Sequence, residues 1–145
     1  MVLDFDLSSE EVSNLDEIHR IVEAKIRELK VSHNTKKIGY VAGKVTADGP
    51  TRVLENLERL NKFALFVSTE HDILVFSAAQ IFNTEVYWKL NLPGPEHEEG
   101  FYKFWRKILK SGVTDVFMSP EWETSLGASD EFRAAKEMGL AIHFL

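Results

Sequence analysis

The sequence has no cysteine, which excludes disulfides, thiolate zinc sites and a cysteine nucleophile. It has no apolar run near the ~20 residues that cross a bilayer. Met1–Asp6 is acidic and lacks the positive-then-apolar pattern of a signal peptide, so a cytoplasmic location is expected. No block of Lys and Arg stands out, and the net charge is −6. That balance carries no electrostatic footprint for nucleic acid or an anionic membrane, so a bound anion would need a local site. Internal repeats and low-complexity segments are missing too. No spacing of His, Asp and Glu suggests a metal, and no cofactor is expected. What remains is 145 residues, 44% apolar, enough for one domain with a core and too few for two.

Ser9–Lys30 reads as a helix, with N-caps offered by Ser8 and Ser9 and an apolar stripe of Val12, Leu15, Ile18, Val22, Ile26 and Leu29. Residues 1–36 are taken as this helix and a linker, and 37–145 as an α/β domain. Lys37–Ala42 is a first strand and Gly43–Gly49 a turn-rich loop. Pro50 then opens a helix whose inner face is Val53, Leu57, Leu60, Ala64 and Val67. Asp72–Ser77 is a near-continuous apolar run, as in a strand covered on both faces. Gln80–Leu90 reads as a short helix, Pro93-Gly94-Pro95 as a loop, and Glu98–Lys110 as a helix stopped by Gly112. Val113–Met118 is a third strand, Ser119–Ala128 a polar loop, Ser129–Met138 a helix capped by Gly139, and Leu140–Leu145 a last strand. Strands alternating with helices predict a single-domain α/β three-layer sandwich. Its sheet would be mostly parallel, Rossmann- or flavodoxin-like, with about four to five strands and an extra N-terminal helix. Ligands in such folds bind beyond the carboxyl ends of the strands, so the loops after strands one and three matter.

The loop from Ser119 to Glu131 leaves a strand and opens a helix. Free N–H groups at a helix start attract phosphate, Gly127 lets the backbone come close, and Ser125 adds a hydroxyl donor. Glu131 is expected in the first helical turn, where the positive helix end would keep it ionised, as a nucleophile requires. Ordinary capping chemistry accounts for an acid in a first turn equally well.

The pattern Trp122-x-x-Ser125-x-Gly127-Ala128-x-x-Glu131 resembles the signature of the nucleoside 2-deoxyribosyltransferase-like superfamily. It is similar to the branch holding 2'-deoxynucleoside 5'-phosphate N-hydrolases and CMP N-glycosidases, and its Trp122 form resembles phage and bacterial members. Those enzymes carry Ser-Leu-Gly, three residues, then the catalytic Glu, which the resemblance places at Glu131. They also carry an Asp ten residues before the Ser, matched by Asp115. Tyr40-Val41-Ala42-Gly43 resembles the family's first strand and glycine turn, where an aromatic hydroxyl lies near the sugar. The resemblance thus implies Glu131 and Tyr40 as catalytic groups. It gives Gly43, Lys44, Ser125, Gly127 and Ala128 as the substrate and phosphate site, and Trp122 and Asp115 as further pocket residues. Two departures stand out. Lys44-Val45-Thr46 replaces the usual Ser-Ile-Arg. Phe101–Leu109 also lacks the second family carboxylate, for which Glu98, Glu99, Asp72 and Glu70 are the open candidates.

The activity implied is hydrolysis of the base–sugar bond of a nucleoside 5'-monophosphate by a Glu nucleophile. Base transfer by a nucleoside 2-deoxyribosyltransferase, or non-catalytic nucleotide binding, are the alternatives. The expected partner is a small nucleotide, without nucleic acid or membrane, in a homodimer or higher homo-oligomer. Trp88, Phe101, Phe104 and Trp105 read as packing residues before base-stacking ones. His33, His97 and His143 read as isolated, and His71 as lying at the sheet's far end.

Overall fold

The computed structural model describes residues 1–7, 12, 14–82 and 96–145, with backbone only for 50 and 96–99. Four strands, β1 (Ile38–Ala42), β2 (Leu74–Ser77), β3 (Asp115–Met118) and β4 (Ala141–Phe144), form one all-parallel sheet in the order β2-β1-β3-β4. Parallel neighbours need crossovers, and the helices supply them: α2 (Val53–His71) between β1 and β2, α3 (Ala78–Ile81) and α4 (Glu96–Lys110) between β2 and β3, and α5 (Leu126–Glu137) between β3 and β4. The expected α/β architecture is present, with the N-terminal helix α1 (Leu15–Ser32) packed along α4.

The register pairs Tyr40 with Phe76 and Val116, and Val116 with Ile142, so these four side chains share one face. On it Tyr40 lies 5.2 Å from Phe76 and 5.4 Å from Trp105 of α4, ring centre to ring centre. α2 packs beside β1 and β2 through Val53, Leu57, Leu60, Ala64 and Val67, the five positions its periodicity singles out. α1 buries Ile18, Val22, Ile26 and Leu29, each contributing roughly 1.5–3 kcal/mol.

Several boundaries differ from the sequence reading. α1 begins at Leu15, because Asn14 is its cap: the Asn14 side chain accepts from the Glu17 N–H at 3.0 Å. Ser8 and Ser9 lie outside the described residues. β2 begins at Leu74, because α2 runs to His71 and Asp72 turns the chain in the left-handed region with φ 47°. Of the helix expected over Gln80–Leu90, only residues 80–82 are described; they end the short helix Ala78–Ile81, which is held by a capping box between Ser77 and Gln80 and stops before Phe82. Residues 83–95, which include Trp88 and the Pro93-Gly94-Pro95 loop, lie outside the described residues.

One element has no counterpart in the sequence reading. Val2 bridges Val75 in parallel, with Leu3 N–H donating to the Val75 carbonyl at 2.9 Å and Val75 N–H to the Met1 carbonyl at 3.1 Å. Leu3, Phe5 and Leu7 point inward at period two, and the Phe5 ring meets Phe76 edge-on at 5.3 Å. This segment covers the outer edge of β2.

Candidate functional site

β1 and β3 are neighbours, but the chain leaves them toward opposite sides of the sheet, and that divergence opens a crevice at their carboxyl ends. Ser119, the residue after β3, ties the two strands together there. Its N–H and its hydroxyl both donate to the Ala42 carbonyl, each at 2.9 Å. Gly43 is required by this contact, since a Cβ would stand 2.1 Å from Ser119 Oγ and 2.7 Å from Leu60 Cδ2. Above this floor is a cleft of about 500 Å³. The loop after β1 lines one side with Val45, Thr46 and Ala47. The start of α5 lines another, and the aromatic wall is Phe82, Phe101, Tyr102 and Trp105.

Glu131 reaches this cleft from α5 and is 6% exposed. The Tyr40 hydroxyl donates to Glu131 Oε1 at 3.1 Å, while Oε2 is buried with no hydrogen-bond partner. Burial pushes the Glu131 carboxyl up; the Tyr40 hydrogen bond pulls it down and the charge of Asp130 pushes it up again, leaving it at about 8. Burial likewise holds the Tyr40 phenol well above its ordinary range, reinforced by Glu131. The expectation that the helix end keeps Glu131 ionised is therefore corrected. α5 starts at Leu126 instead of Ser129, which moves Glu131 into the second turn, and the dipole's influence fades within the first.

The earlier start of α5 comes from Ser125. Its backbone is extended (φ −108°, ψ 123°), and its hydroxyl accepts from the Ala128 N–H at 3.1 Å. The Leu126 and Gly127 N–H groups open the helix without an intrahelical acceptor, beside the cleft. A Cβ on Gly127 would meet only Ser125 Oγ at 3.8 Å and Tyr102 Cε1 at 3.9 Å, ordinary contacts. The folded chain does not need glycine there, whereas a ligand lying against the backbone would use the room.

Tyr40, Gly43, Ser125, Gly127, Ala128 and Glu131 thus share one cleft, and three other expected site residues lie elsewhere. Lys44 does not line the cleft. Its ammonium bridges Asp48 and Glu121, each at 3.0 Å, and these bonds raise its pKa. Trp122 packs on Phe132 (4.7 Å) and Phe144 (6.2 Å), on the outer side of α5. Asp115 sits at the amino end of β3, across the sheet from the cleft. There Thr114 Oγ1 donates to Asp115 Oδ1 at 2.7 Å, and His143 Nε2 lies 2.9 Å from Oδ2. Burial pushes the Asp115 carboxyl up, but the bonds from Thr114 and His143 outweigh it and hold it below its ordinary value. His143 is therefore not isolated: it pairs with Asp115 and stacks on Phe117 at 4.5 Å. His71 packs against both rings at this same end, far from the cleft as expected.

Phe101 and Trp105 line the cleft, while Phe104 is core. Asp72 belongs to the amino end, and the side chains of Glu98 and Glu99 lie outside the described residues, so Glu131 is the one carboxyl in the described lining. The sequence reading misses Asn56, whose amide donates to the Val45 carbonyl at 3.0 Å and to Asp48 Oδ2 at 3.2 Å, anchoring the loop after β1. A lone polar residue on the inner face of α2 is the signal that exposes it. It also misses the fork between Arg106 and Asp130, joining α4 to α5. Among the described residues no cluster of three or more His, Asp or Glu suits a metal ion, and no helix is long and apolar enough to cross a membrane. No family model, no curated protein and no solved structure matches the chain.

Proposed function

We propose that the chain is an N-glycosidase that hydrolyses the base–sugar bond of a nucleoside 5'-monophosphate, with Glu131 as nucleophile. The observation that carries this reading is a carboxyl buried at a cleft, held by one phenol and left with a second oxygen unpartnered, in the second turn of a helix whose open start lines the same cleft. A buried polar atom without a partner costs stability and is kept where a ligand supplies what the fold withholds. The Leu126 and Gly127 N–H groups and the Ser125 hydroxyl offer neutral donors to the phosphate, and Phe82, Phe101 and Trp105 offer faces to the base.

The Glu131 carboxyl first gives up its proton, then forms a bond to C1' as the C1'–N bond breaks. That electron pair leaves with the base, which takes up the proton Glu131 released. Water then adds its oxygen at C1' as the bond from C1' to Glu131 breaks, its proton returning to the freed carboxylate and the sugar phosphate leaving. Tyr40 fixes Oε1, so Oε2 is the oxygen presented for attack.

A second reading, nucleotide binding without turnover, is favoured by the raised pKa of Glu131 and the absence of another carboxyl from the described lining. Incubation with a panel of nucleosides and their 5'-monophosphates, followed by chromatography for free base, tests these readings. Release from monophosphates that is lost in Glu131→Gln supports hydrolysis. Release only with a second base present supports the transferase alternative. Ligand-dependent thermal stabilisation without release supports binding alone and overturns the hydrolase.

A further inference from the structure

We propose that Arg106 is a positioning residue for Glu131: its guanidinium, closed as a fork on Asp130, fixes α5 against α4 and offsets part of the charge of the carboxylate next to Glu131 in the chain. Arg106 Nε donates to Asp130 Oδ2 at 3.1 Å and Nη2 to Oδ1 at 2.8 Å, while Nη1 reaches Glu137 Oε2 at 3.3 Å. Two parallel bonds to one carboxylate set angle as well as distance, which a lysine cannot reproduce. Asp130 is 9% exposed, and both of its carboxylate oxygens find their partners in Arg106.

The placement gives this fork two consequences for the cleft. Adjacent helix residues point about 100° apart, so Asp130 turns to α4 while Glu131 turns to Tyr40. Asp130 thereby holds the backbone from which Glu131 projects. Arg106 also follows Trp105 and shares α4 with Phe101 and Tyr102, so the fork couples the aromatic wall to the carboxyl it faces. Among the described residues the charged and titratable groups around Glu131 are few. Tyr40 comes from β1, Tyr102 and Arg106 from α4, and Asp130 from α5, with Arg133 Nη2 3.8 Å from Asp130 Oδ1. The described residues that line the cleft from α3 and from the loop after β1 carry no charge. Without Arg106, a negative Asp130 would oppose ionisation of its neighbour, and the carboxylate needed for attack would form only at higher pH.

The role rests on Glu131 being the nucleophile, but its test does not need turnover. Carbon-13 NMR of glutamate-labelled protein follows the Glu131 carboxyl, assigned by its loss in Glu131→Gln. Arg106→Met is expected to raise the Glu131 midpoint by roughly 0.5–1 pH unit. Asp130→Asn is expected to lower it, and adding Arg106→Met to Asp130→Asn to change nothing further. Arg106→Lys, which keeps the charge and loses the fork, should restore part of the midpoint. Folded variants whose midpoints stay at the wild-type value overturn the proposal, as does an Arg106→Met shift that persists beside Asp130→Asn. If Arg106→Met does not fold, Asp130→Asn and Arg106→Lys decide by the same criterion. Wild-type protein with this titration pattern but no base release sinks the hydrolase and leaves the fork standing; base release with an immobile midpoint does the reverse.

Discussion

Glu131 and Asp115 sit at opposite ends of one sheet, both withdrawn from water at 6% and 8% exposure, yet their carboxyls shift in opposite directions. Glu131 is the more deeply enclosed of the two and burial dominates its shift, whereas at Asp115 the hydrogen-bond partners outweigh burial. Asp115 has one oxygen on the Thr114 hydroxyl and the other on the His143 imidazole, and both bonds favour its charged form. Glu131 has one neutral phenol and a bare oxygen. The amino end is a finished hydrogen-bond network, of the kind that holds a fold. The carboxyl end is an unfinished one, of the kind that waits for a ligand.

The strongest way to break this contrast is activity. Glu131→Gln should lower base release on the order of 10³-fold or more, whereas Asp115→Asn should change it less than about tenfold in folded protein. Equal losses would erase the distinction. Stability should run the other way. The Glu131 carboxyl, raised on folding from 4.5 to about 8, holds a proton in the folded state that the unfolded chain has released, so the fold loses stability as pH rises between those values. Urea melts should show Glu131→Gln gaining on wild type across that window, by about 2–3 kcal/mol near pH 7.

Asp115→Asn should instead cost about 1–2 kcal/mol at neutral pH. Since folding lowers this carboxyl below 3.8, the stability it adds is present above that value and fades as pH falls through the lower folded one. Ser125→Ala should cost about 1 kcal/mol by thermal melt, the usual loss for a cap. The finest effect is Tyr40→Phe. It removes the bond that pulls the Glu131 pKa down, so the limb on which base release rises with pH should move above about 8. A limb that stays in place would place the titrating group elsewhere.

Most of the fold was legible because its signals are local and periodic. Val53, Leu57, Leu60, Ala64 and Val67 mark the inner face of α2 at helical spacing, and LVFS reads as a strand covered on both sides. The errors came where two caps competed. Ser125 and Ser129 are both plausible helix starts, and only the contact of Ser125 with the Ala128 N–H chooses between them. The opening segment was missed because its alternation is three apolar residues long and is stabilised by a strand that lies far along the chain. For the site, spacing brought Ser125, Gly127 and Glu131 together correctly, since they share a helix start. Asp115 and Trp122 enter the pocket reading through the resemblance; the structure keeps them out of the cleft because Asp115 opens a strand of four residues whose ends lie at opposite rims of the sheet, and Trp122 turns its ring to Phe132 and Phe144. The sign of the Glu131 shift is out of reach of the sequence, because it is set by burial in packing that no local pattern encodes, against the opposing bond from Tyr40, 91 positions away.

The Met1–Leu7 strip bears on how the molecule behaves in company. Cutting it away would leave the flank of β2 with bare amides and carbonyls beside the uncovered Phe76 ring, a template on which extended peptide from another molecule could stack. A shortened chain should therefore clump at concentrations where the whole one stays dispersed, so the first seven residues act as a built-in guard against aggregation.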